Sequence, residues 1–362
     1  MPRLRQLWLR THRWAALGIG WILILSGLTG ALLVAAQPLD RWLHPAFFKA
    51  PGHEAAGASV ALEQVLLPLR AEFGPQTSFT LRPARESTDT LWVLVRGPWN
   101  GTVYFDPVSG REQGRRGETQ GFVNTLFKLH SSLLLQGTGK AILAWVALVY
   151  LLLLVTGLIL WWPRRWPPSW KVELGRGVLR ALFDLHRVGG VVMGLVIAVS
   201  VASGAYMAWR PLGGAITWMS GATPVKPPSV PKASTPPGQP RTLDTLVAKA
   251  REQFPGTPVG YIQVPAQADR PVRIRLMLPD DPHPNGLTSV WLHPVTGDVL
   301  AVHRWNALDP GARAVAVIYP LHTGVLGGLW LELVFAVSGL ILGMLGITGI
   351  WLWWRRRKAR QA

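Results

Sequence analysis

Four histidines stand beside four apolar stretches of the chain, where their imidazole nitrogens could bind a metal. Each histidine opens or closely precedes a segment that is long enough to cross a bilayer. Neutral imidazole is a common axial ligand of haem iron, so two histidines facing each other across a helix bundle would hold one haem, and four would hold two. Two haems at different depths would form a path for electrons across the membrane. The four residues are His12, His130, His186 and His322.

The helices that would position these histidines are visible as runs without charged residues. The chain has 362 residues, 49% of them hydrophobic, and a spanning helix needs about 20 apolar residues. We therefore expect four transmembrane helices. The first run is too long for a signal-peptide core and no clear cleavage site follows it, so we interpret it as a retained helix. The runs are Trp14–Ala36, Ala141–Trp162, Val188–Trp209 and Leu333–Trp354.

The net charge of +18 is concentrated in three short segments that must share one side of the membrane. Within them only Glu173 and Asp184 are acidic. The positive-inside rule puts both termini and the link between spans 2 and 3 in the cytoplasm and the two long loops outside. This placement argues against nucleic-acid binding. The basic residues are Arg3, Arg5, Arg10 and Arg13, then Arg164, Arg165, Lys171, Arg176, Arg180 and Arg187, then Arg355, Arg356, Arg357, Lys358 and Arg360.

The absence of cysteine limits the redox chemistry. It excludes disulfides, covalently attached c-type haem and cysteine-ligated iron–sulfur clusters, so any haem must be held non-covalently. No dinucleotide-binding G-x-G-x-x-G unit follows a strand. The electron donor must then be a separate cytoplasmic protein, a free reduced flavin or a membrane quinol.

The chain is predicted to be a tandem parallel repeat. Leu9–Arg13 (LRTHR) before span 1 matches Asp184–Arg187 (DLHR) before span 3, and Leu126–Ser132 (LFKLHSS) matches Ile318–Gly324 (IYPLHTG). Both halves enter from and return to the cytoplasm, so the pseudo-twofold axis runs along the membrane normal. That axis pairs His12 with His186 and His130 with His322.

The two long loops also match each other. Leu62–Phe73 and Leu243–Phe254 are predicted amphipathic helices, because their apolar residues recur at helical spacing. Alternating stretches and Pro/Gly turns follow in both loops, which is typical of antiparallel strands. We expect each loop to form one helix on a small antiparallel sheet. The predicted strands are Leu91–Arg96, Thr102–Phe105, Val272–Leu278 and Ser289–Leu292, with turns at Asp106–Gly110 and His293–Gly297, and Thr223–Gln239 is a predicted extended, mobile linker.

The chain resembles the PepSY-associated transmembrane family. The motifs are Leu185–Arg187 (LHR), Leu129–Leu133 (LHSSL) and Thr156–Trp162 (TGLILWW), and the outer loops resemble PepSY modules. The first repeat departs slightly, with Thr11-His12-Arg13 at its start and Ala16 where the second repeat has Gly190. The resemblance implies a four-helix transmembrane bundle carrying two small α+β PepSY-like periplasmic domains. Characterised members of the family include inner-membrane ferric-siderophore reductases that contain b-type haem.

This resemblance predicts a division of the chain into segments and a function. We expect a bacterial inner-membrane di-haem b reductase that delivers electrons to a periplasmic ferric siderophore or similar oxidant. The alternatives are a non-redox accessory protein that binds or inhibits a periplasmic peptidase, and a transporter component. Sparse intramembrane charge argues against the transporter. The expected segments are 1–36 with helix 1, 37–129 as periplasmic domain 1, 130–162 with helix 2, 163–185 as the cytoplasmic link, 186–209 as helix 3, 210–321 as periplasmic domain 2, 322–354 with helix 4, and 355–362 as a basic cytoplasmic tail.

Several details of the sites stay open at this point. Arg13 and Arg187 follow the inner histidines and would pair with haem propionates or act as membrane anchors. His130 and His322 each precede their charge-free run by 11 residues. Either the outer haem lies near the surface, or a glycine break folds the histidine-bearing turn inward. His44 is a rival outer ligand. Glycines close to the histidines in sequence, such as Gly189 and Gly324, would make room for the macrocycle or pack helices. His283, His293 and His303 are expected to be surface or turn residues, and His53 carries no signal.

Overall fold

The computed structural model describes residues 2–50, 59–86, 88–163, 166–231, 241–267, 269–358 and 361. The chain divides into two compact units. Unit 1 is helical and comprises Met1–Gln37, Thr125–Met219 and Ile318–Ala362. Unit 2 carries the β-sheet and comprises Pro38–Asn124 and Ser220–Val317.

Four helices are long and apolar enough to cross a membrane, among the residues the structure describes. They form because a backbone in lipid must satisfy its own hydrogen bonds, which a helix does within one segment. The expectation of four spans is therefore met. The α-helices of the chain are α1 (Pro2–Leu43), α2 (Pro45–Phe48), α3 (Leu62–Phe73), α4 (Phe122–Ser132), α5 (Gln136–Trp161), α6 (Val178–Ala208), α7 (Arg210–Met219), α8 (Leu243–Gln253), α9 (Pro310–Thr323) and α10 (Gly328–Lys358), and the spans lie in α1, α5, α6 and α10.

Close packing through small residues holds the spanning helices of unit 1 together. Gly27 of α1 and Gly339 of α10 approach so closely that a β-carbon on either would lie 2.6 Å from the other's carbonyl oxygen. Helices in lipid associate through such close contacts, because lipid tails are as apolar as the side chains and the hydrophobic effect does not drive the helices together. Between these contacts the bundle has a buried apolar core, which includes Leu23, Leu153 and Ile197.

A sharp break separates each outer histidine from the spanning helix that follows it. After α4, residues Leu133, Leu134 and Gln136 adopt positive φ values of 53°, 60° and 51°. After α9, Gly324 and Gly328 do the same, at 83° and 62°. These left-handed residues end one helix and redirect the chain into the next. The histidine-bearing segments are thus separate helices and not extensions of the spans.

Unit 2 contains one antiparallel sheet of eight strands within the described residues, in the order β4-β3-β2-β1-β5-β6-β7-β8. The first four strands come from the first loop and the last four from the second. They join through β1 and β5, where Phe79 pairs with Val264 and Leu81 with Ile262. The strands are β1 (Ser78–Arg82), β2 (Leu91–Arg96), β3 (Asn100–Phe105), β4 (Glu112–Gly117), β5 (Val259–Val264), β6 (Val272–Leu276), β7 (Thr288–Leu292) and β8 (Val299–His303).

One hydrophobic core lies between the sheet and the two helices α3 and α8. Leu66 of α3 and Ala250 of α8 are fully buried against inward-facing strand residues such as Leu81, Ile262 and Ile274. Because side chains alternate along a strand, the residues between these buried positions line the opposite face of the sheet. That face is polar and aromatic.

The structure refines the expected layout of the loops. The helices and four strands foreseen from the sequence are present within two residues of their bounds, but the two expected sheets are one. In two separate sheets β1 and β5 would each be an unpaired edge strand; pairing them removes these two edges and leaves β4 and β8 at the ends of the joined sheet. Helix α4 already begins at Phe122, so residue 130 lies inside a helix and not at a boundary. His53, the linker residues 232–239 and the basic residues Arg164, Arg165 and Arg360 lie outside the described part of the chain.

Candidate functional site

The inner histidines lie opposite each other in unit 1. His12 of α1 and His186 of α6 have ring centroids 6.4 Å apart, with their planes at 90°. Each ring is held by a threonine on another spanning helix: Nδ1 of His12 lies 2.8 Å from Oγ1 of Thr156, and Nδ1 of His186 lies 3.0 Å from Oγ1 of Thr348. Thr156 donates its own hydroxyl hydrogen to the carbonyl of Leu152 or Leu153 in its helix. Its oxygen is therefore free to accept from the imidazole.

The outer histidines repeat this arrangement. His130 and His322 have ring centroids 6.2 Å apart, with an angle of 32° between the planes. Nδ1 of His130 lies 3.1 Å from the Thr29 hydroxyl and 3.2 Å from the Ser26 carbonyl oxygen. Nδ1 of His322 lies 3.1 Å from the hydroxyl of Ser203, and a carbonyl of α6 again lies close, at 3.0 Å.

These contacts fix which imidazole nitrogen carries the hydrogen. A carbonyl oxygen only accepts, so Nδ1 of each outer histidine must donate. The threonine partners of the inner pair give the same assignment. Nε2 is left with a lone pair in all four rings, which is the form that binds a metal. Hydrogen bonding of the second nitrogen is how metal-ligating histidines are oriented.

The spacing of the rings fits one metal ion between each pair. A metal lies about 2 Å from a ligating imidazole nitrogen, which is itself about 1.2 Å from the ring centroid, so two axial imidazoles on one metal have centroids about 6.4 Å apart. The two observed separations, 6.4 and 6.2 Å, match this value. Two histidines are too few to hold a free ion, and no group of three or more His, Cys, Asp or Glu suitable for a metal occurs in the described chain. Haem iron needs only two, because the porphyrin supplies the other four nitrogens.

A glycine lies against each histidine ring. A β-carbon added at Gly157 or Gly349 would lie 3.5 or 3.4 Å from Cε1 of the inner histidines. At Gly30 or Gly204 it would lie only 2.9 or 2.8 Å from Cε1 of His130 or His322. Each of these glycines directly follows the residue whose hydroxyl contacts the same ring. The side of each ring is thus enclosed by backbone.

Ser26, whose carbonyl contacts an outer histidine, has a hydroxyl without a hydrogen-bond partner among the described residues. Oγ of Ser26 is buried and forms no hydrogen bond to any described residue, although its own carbonyl accepts from His130. Buried hydroxyls without partners are uncommon in folded proteins. An unmatched donor next to a histidine pair is consistent with a ligand that carries polar groups.

A comparison with known families identifies the family of the chain. The model of the family described as the PepSY-associated TM region matches residues 9–356. The chain belongs to this family. A search of the curated proteins found no match to the chain. The match covers all four histidines and the charge-free run of each spanning helix.

The remaining candidate residues lie outside the two histidine pairs and make other contacts. Arg187 donates to the backbone carbonyls of Ser169 and Lys171 and pairs with Asp184 at 3.2 Å. It braces the segment between α5 and α6, and its expected contact with propionates stays a prediction. Arg13 is half-buried on α1, and its role is likewise untested. His44 is largely exposed and its Nδ1 lies 3.0 Å from a carboxylate oxygen of Asp40.

Three histidines of unit 2 make local structural contacts, and two of them, His283 and His293, are buried and not on the surface. Nδ1 of His293 accepts from the backbone amides of Val295 and Thr296 in the turn that the sequence predicts. Nδ1 of His283 accepts from the amide of Asn285. Nδ1 of His303 accepts from the indole of a neighbouring strand.

The hydroxyl and glycine partners of the histidines were not foreseen. They occur as Ser/Thr-Gly pairs, one against each histidine, at Thr29-Gly30, Thr156-Gly157, Ser203-Gly204 and Thr348-Gly349. The signal in the sequence is their equal spacing: His12 and Thr29 are separated by as many residues as His186 and Ser203. Glycines that are near the histidines in sequence serve other purposes. Gly189 packs against Met344, and Gly324 forms the turn after α9.

Proposed function

We propose that the chain is a bacterial inner-membrane reductase that holds two b-type haems and passes electrons to a periplasmic ferric siderophore or a similar ferric oxidant. The observation that carries this proposal is the presence of two histidine pairs, each at the ring spacing of a single iron. A bound haem supplies an iron that gains and loses one electron. Reduction of Fe(III) to Fe(II) weakens its binding to hard oxygen chelators, so the siderophore releases its iron.

The protein's own residues orient the ligands. The hydroxyls of Thr156 and Thr348 hold the inner imidazoles, and the hydroxyls of Thr29 and Ser203 hold the outer ones, with Nε2 left for the metal. Each hydroxyl is itself fixed to a carbonyl of its helix, for example that of Thr29 to Leu25. This second hydrogen bond limits rotation of the hydroxyl and thereby of the ring.

The two pairs are well separated along the helices. His12 and Thr29, the contact of His130, are 17 residues apart on α1. At about 1.5 Å per residue the two levels are about 25 Å apart along the helix. Thr29 lies within the charge-free run that ends at Ala36, so this contact favours the folded-in alternative for the outer histidines. Such a separation suits two redox centres near opposite faces of a hydrocarbon layer about 30 Å thick.

Charge and internal symmetry support the proposed orientation of the chain in the membrane. We infer a parallel tandem repeat in which α1 and α6 correspond, as do α5 and α10, because the contacts of His12 and His130 recur at His186 and His322. The basic residues beside the spans then place both termini in the cytoplasm and unit 2 in the periplasm. The electron donor is a cytoplasmic protein, a free reduced flavin or a membrane quinol.

A vectorial electron-transfer assay tests the proposal. Full-length protein in liposomes, with a reductant on the cytoplasmic side and a ferric siderophore outside, should form Fe(II) outside, as detected by a chromogenic ferrous chelator. His186→Ala should abolish the signal and His44→Ala should preserve it. Equal rates in the two variants would contradict electron transfer through the histidine pairs. A colourless protein after haem-replete expression would instead favour the non-redox accessory role.

A further inference from the structure

The face of the sheet opposite α3 and α8 carries a row of arginines and aromatic rings. Arg82 of β1 lies beside Tyr261 of β5, because the adjacent pair Leu81 and Ile262 is in register. Tyr261 in turn pairs with Arg275 of β6, and Gln263 pairs with Arg273. All of these residues alternate with fully buried core positions, so their side chains share the outer face.

Aromatic rings support two of the guanidinium groups. The guanidinium carbon of Arg82 lies 4.3 Å from the ring centroid of Trp92, and that of Arg273 lies 4.9 Å from the centroid of Trp291. Stacking holds a guanidinium flat. Nε of Arg273 donates to the hydroxyl of Ser289, Arg275 donates to the carbonyl of Gly286, and their other N–H groups remain for a ligand. Arg85 lies nearby and donates to Asn285.

These arginines are short of negative partners. Arg82 has 7% of its surface exposed, and its nearest carboxylate oxygen, on Asp89, is 3.9 Å away, beyond hydrogen-bond distance. Within the described residues, Arg273 and Arg275 form no ion pair, and Nε of Arg275 is buried without a hydrogen-bond partner. Asp281 is occupied by the backbone amides of Leu287 and Thr288.

Burial without pairing has an energetic consequence. Burial, followed by the charge of the neighbouring Arg275, lowers the pKa of Arg273 to about 10, and burial also lowers the pKa of Arg82 and of Arg275. Charged groups removed from water are normally paired, because an unpaired buried charge destabilises the fold.

We propose that this face, defined by Arg82, Tyr261, Arg273 and Arg275 with Trp92 and Trp291, binds an anionic, oxygen-rich ferric chelate with aromatic arms, such as a tris-catecholate. Guanidinium forks bind the anionic oxygens in pairs, and the indole and phenol rings contact the flat arms. That the bound chelate carries iron for reduction rests on the proposed function. The binding of an anion does not.

Equilibrium dialysis measures the affinity of the full-length protein in detergent for gallium(III) chelates. Gallium(III) resembles iron(III) in size and charge but is not reduced under these conditions. A trianionic gallium tris-catecholate should bind about tenfold or more tightly than an uncharged gallium tris-hydroxamate, given the strength of charge-assisted hydrogen bonds. Equal affinity for the two chelates would overturn the proposal without any variant.

Paired substitutions locate the site. The double variant Arg82→Gln with Arg275→Gln should lose about tenfold or more in affinity for the tris-catecholate. The matched control is Arg70→Gln with Arg251→Gln, two exposed arginines on the helices of the opposite face, which should bind as the wild type does. Arg82→Lys with Arg275→Lys, which keeps the charge but loses the paired donors, should weaken binding less than the glutamine variant. Unchanged affinity in the glutamine variant would overturn the assignment.

Phosphate is the competing anion. Millimolar inorganic phosphate and nanodiscs of anionic phospholipid are tested for binding that depends on Arg82 and Arg275. If either binds in this way while the tris-catecholate does not, the arginines serve a phosphate group and the chelate proposal fails. Gallium binding needs neither haem nor electrons. A colourless protein that still prefers the anionic chelate would therefore contradict the proposed function and support the anion-binding site.

Discussion

His12 and Thr156 are 144 positions apart in the chain and are joined by a 2.8 Å contact between Nδ1 and Oγ1. His186 and Thr348 make the same contact at 3.0 Å. A hydroxyl that already donates to its own helix can only accept from the ring, so the hydrogen of the imidazole stays on Nδ1. This hydrogen bond at Nδ1 leaves the lone pair of Nε2 available to bind a metal.

Removing that hydroxyl should loosen the inner centre. Thr156→Val keeps the shape of the side chain but leaves Nδ1 of His12 without an acceptor. We expect haem affinity at the inner pair to fall about 10- to 100-fold, which is usual when a ligating histidine loses the hydrogen bond that orients it. The measurement is the rate of haem transfer to an excess of apomyoglobin, followed by the visible spectrum.

Thr156→Ser is the matched control, since it keeps the hydroxyl and should retain haem as the wild type does. Thr348→Val, at the other ring of the pair, should weaken the same centre. If Thr156→Val and Thr156→Ser lose haem at the same rate, the hydroxyl does not orient the ring.

The glycines beside the rings should differ in their tolerance of a methyl group. Gly204→Ala would bring a β-carbon within 2.8 Å of Cε1 of His322, which displaces the ring, so the outer haem should be lost or reduced in occupancy. At Gly349 the same change leaves 3.4 Å to His186, which is nearly an ordinary contact, so both haems should remain. Pyridine haemochrome assays of the two variants provide the comparison. Retention of two haems in Gly204→Ala would show that His322 is not fixed against α6.

A buried ion pair in unit 2 should dominate its stability. Arg116 donates to both carboxylate oxygens of Asp40 at 2.9 and 2.6 Å, and the two side chains are 8% and 6% exposed. Arg116→Ala leaves the carboxylate buried and unpaired, which should lower the free energy of unfolding by about 3–5 kcal/mol. The exposed neighbour Arg115, which pairs with Glu72 and Glu112, is the control, and Arg115→Ala should cost about 0–1 kcal/mol. Denaturant unfolding of the full chain in detergent measures both, and equal losses would contradict this difference.

Acid should destabilise unit 2 through His283. Burial, followed by the charges of Arg275 and Arg85, lowers the pKa of this imidazole to about 4. In the unfolded chain this imidazole binds a proton near pH 6.5, whereas in the folded chain it stays neutral until about pH 4. The free energy of unfolding therefore falls as the pH drops from about 6.5 to about 4. After discounting for partial solvation, the loss should be about 1–2 kcal/mol. His283→Gln should flatten this part of the stability profile. An unchanged slope in His283→Gln would assign the acid sensitivity to other groups.

Much of the fold follows from patterns that lipid and solvent impose. Charge-free runs predict the four spans because a polar side chain in lipid is costly. Alternation predicts strands such as Leu91–Arg96, whose bounds the structure reproduces. The union of the two sheets was not predictable, because the pairing of β1 with β5 joins residues about 180 positions apart and no local signal marks it. Strands β1, β4, β5 and β8 were not predicted from the sequence, and β4 (Glu112–Gly117) has no apolar side chain that could mark it as a strand.

The pairing of the histidines followed from the internal symmetry, and the structure brings the same pairs together. The hydroxyl and glycine partners of the histidines could not be predicted from that symmetry. Ser/Thr-Gly pairs also occur at Ser26-Gly27 and Ser338-Gly339, where the glycines pack α1 against α10 and contact no histidine. The motif alone therefore does not distinguish helix packing from ring packing. Only the contacts across helices make that distinction.

The haem content of the purified chain tests the central claim most directly. The pyridine haemochrome assay, normalised to protein by amino-acid analysis, should give two b-type haems per wild-type chain and about one in His186→Ala and in His322→Ala, since each pair holds one haem. His293→Ala, which removes only a turn contact, should keep two. A wild-type chain without haem, or two haems retained in both His186→Ala and His322→Ala, would contradict the assignment of the histidine pairs.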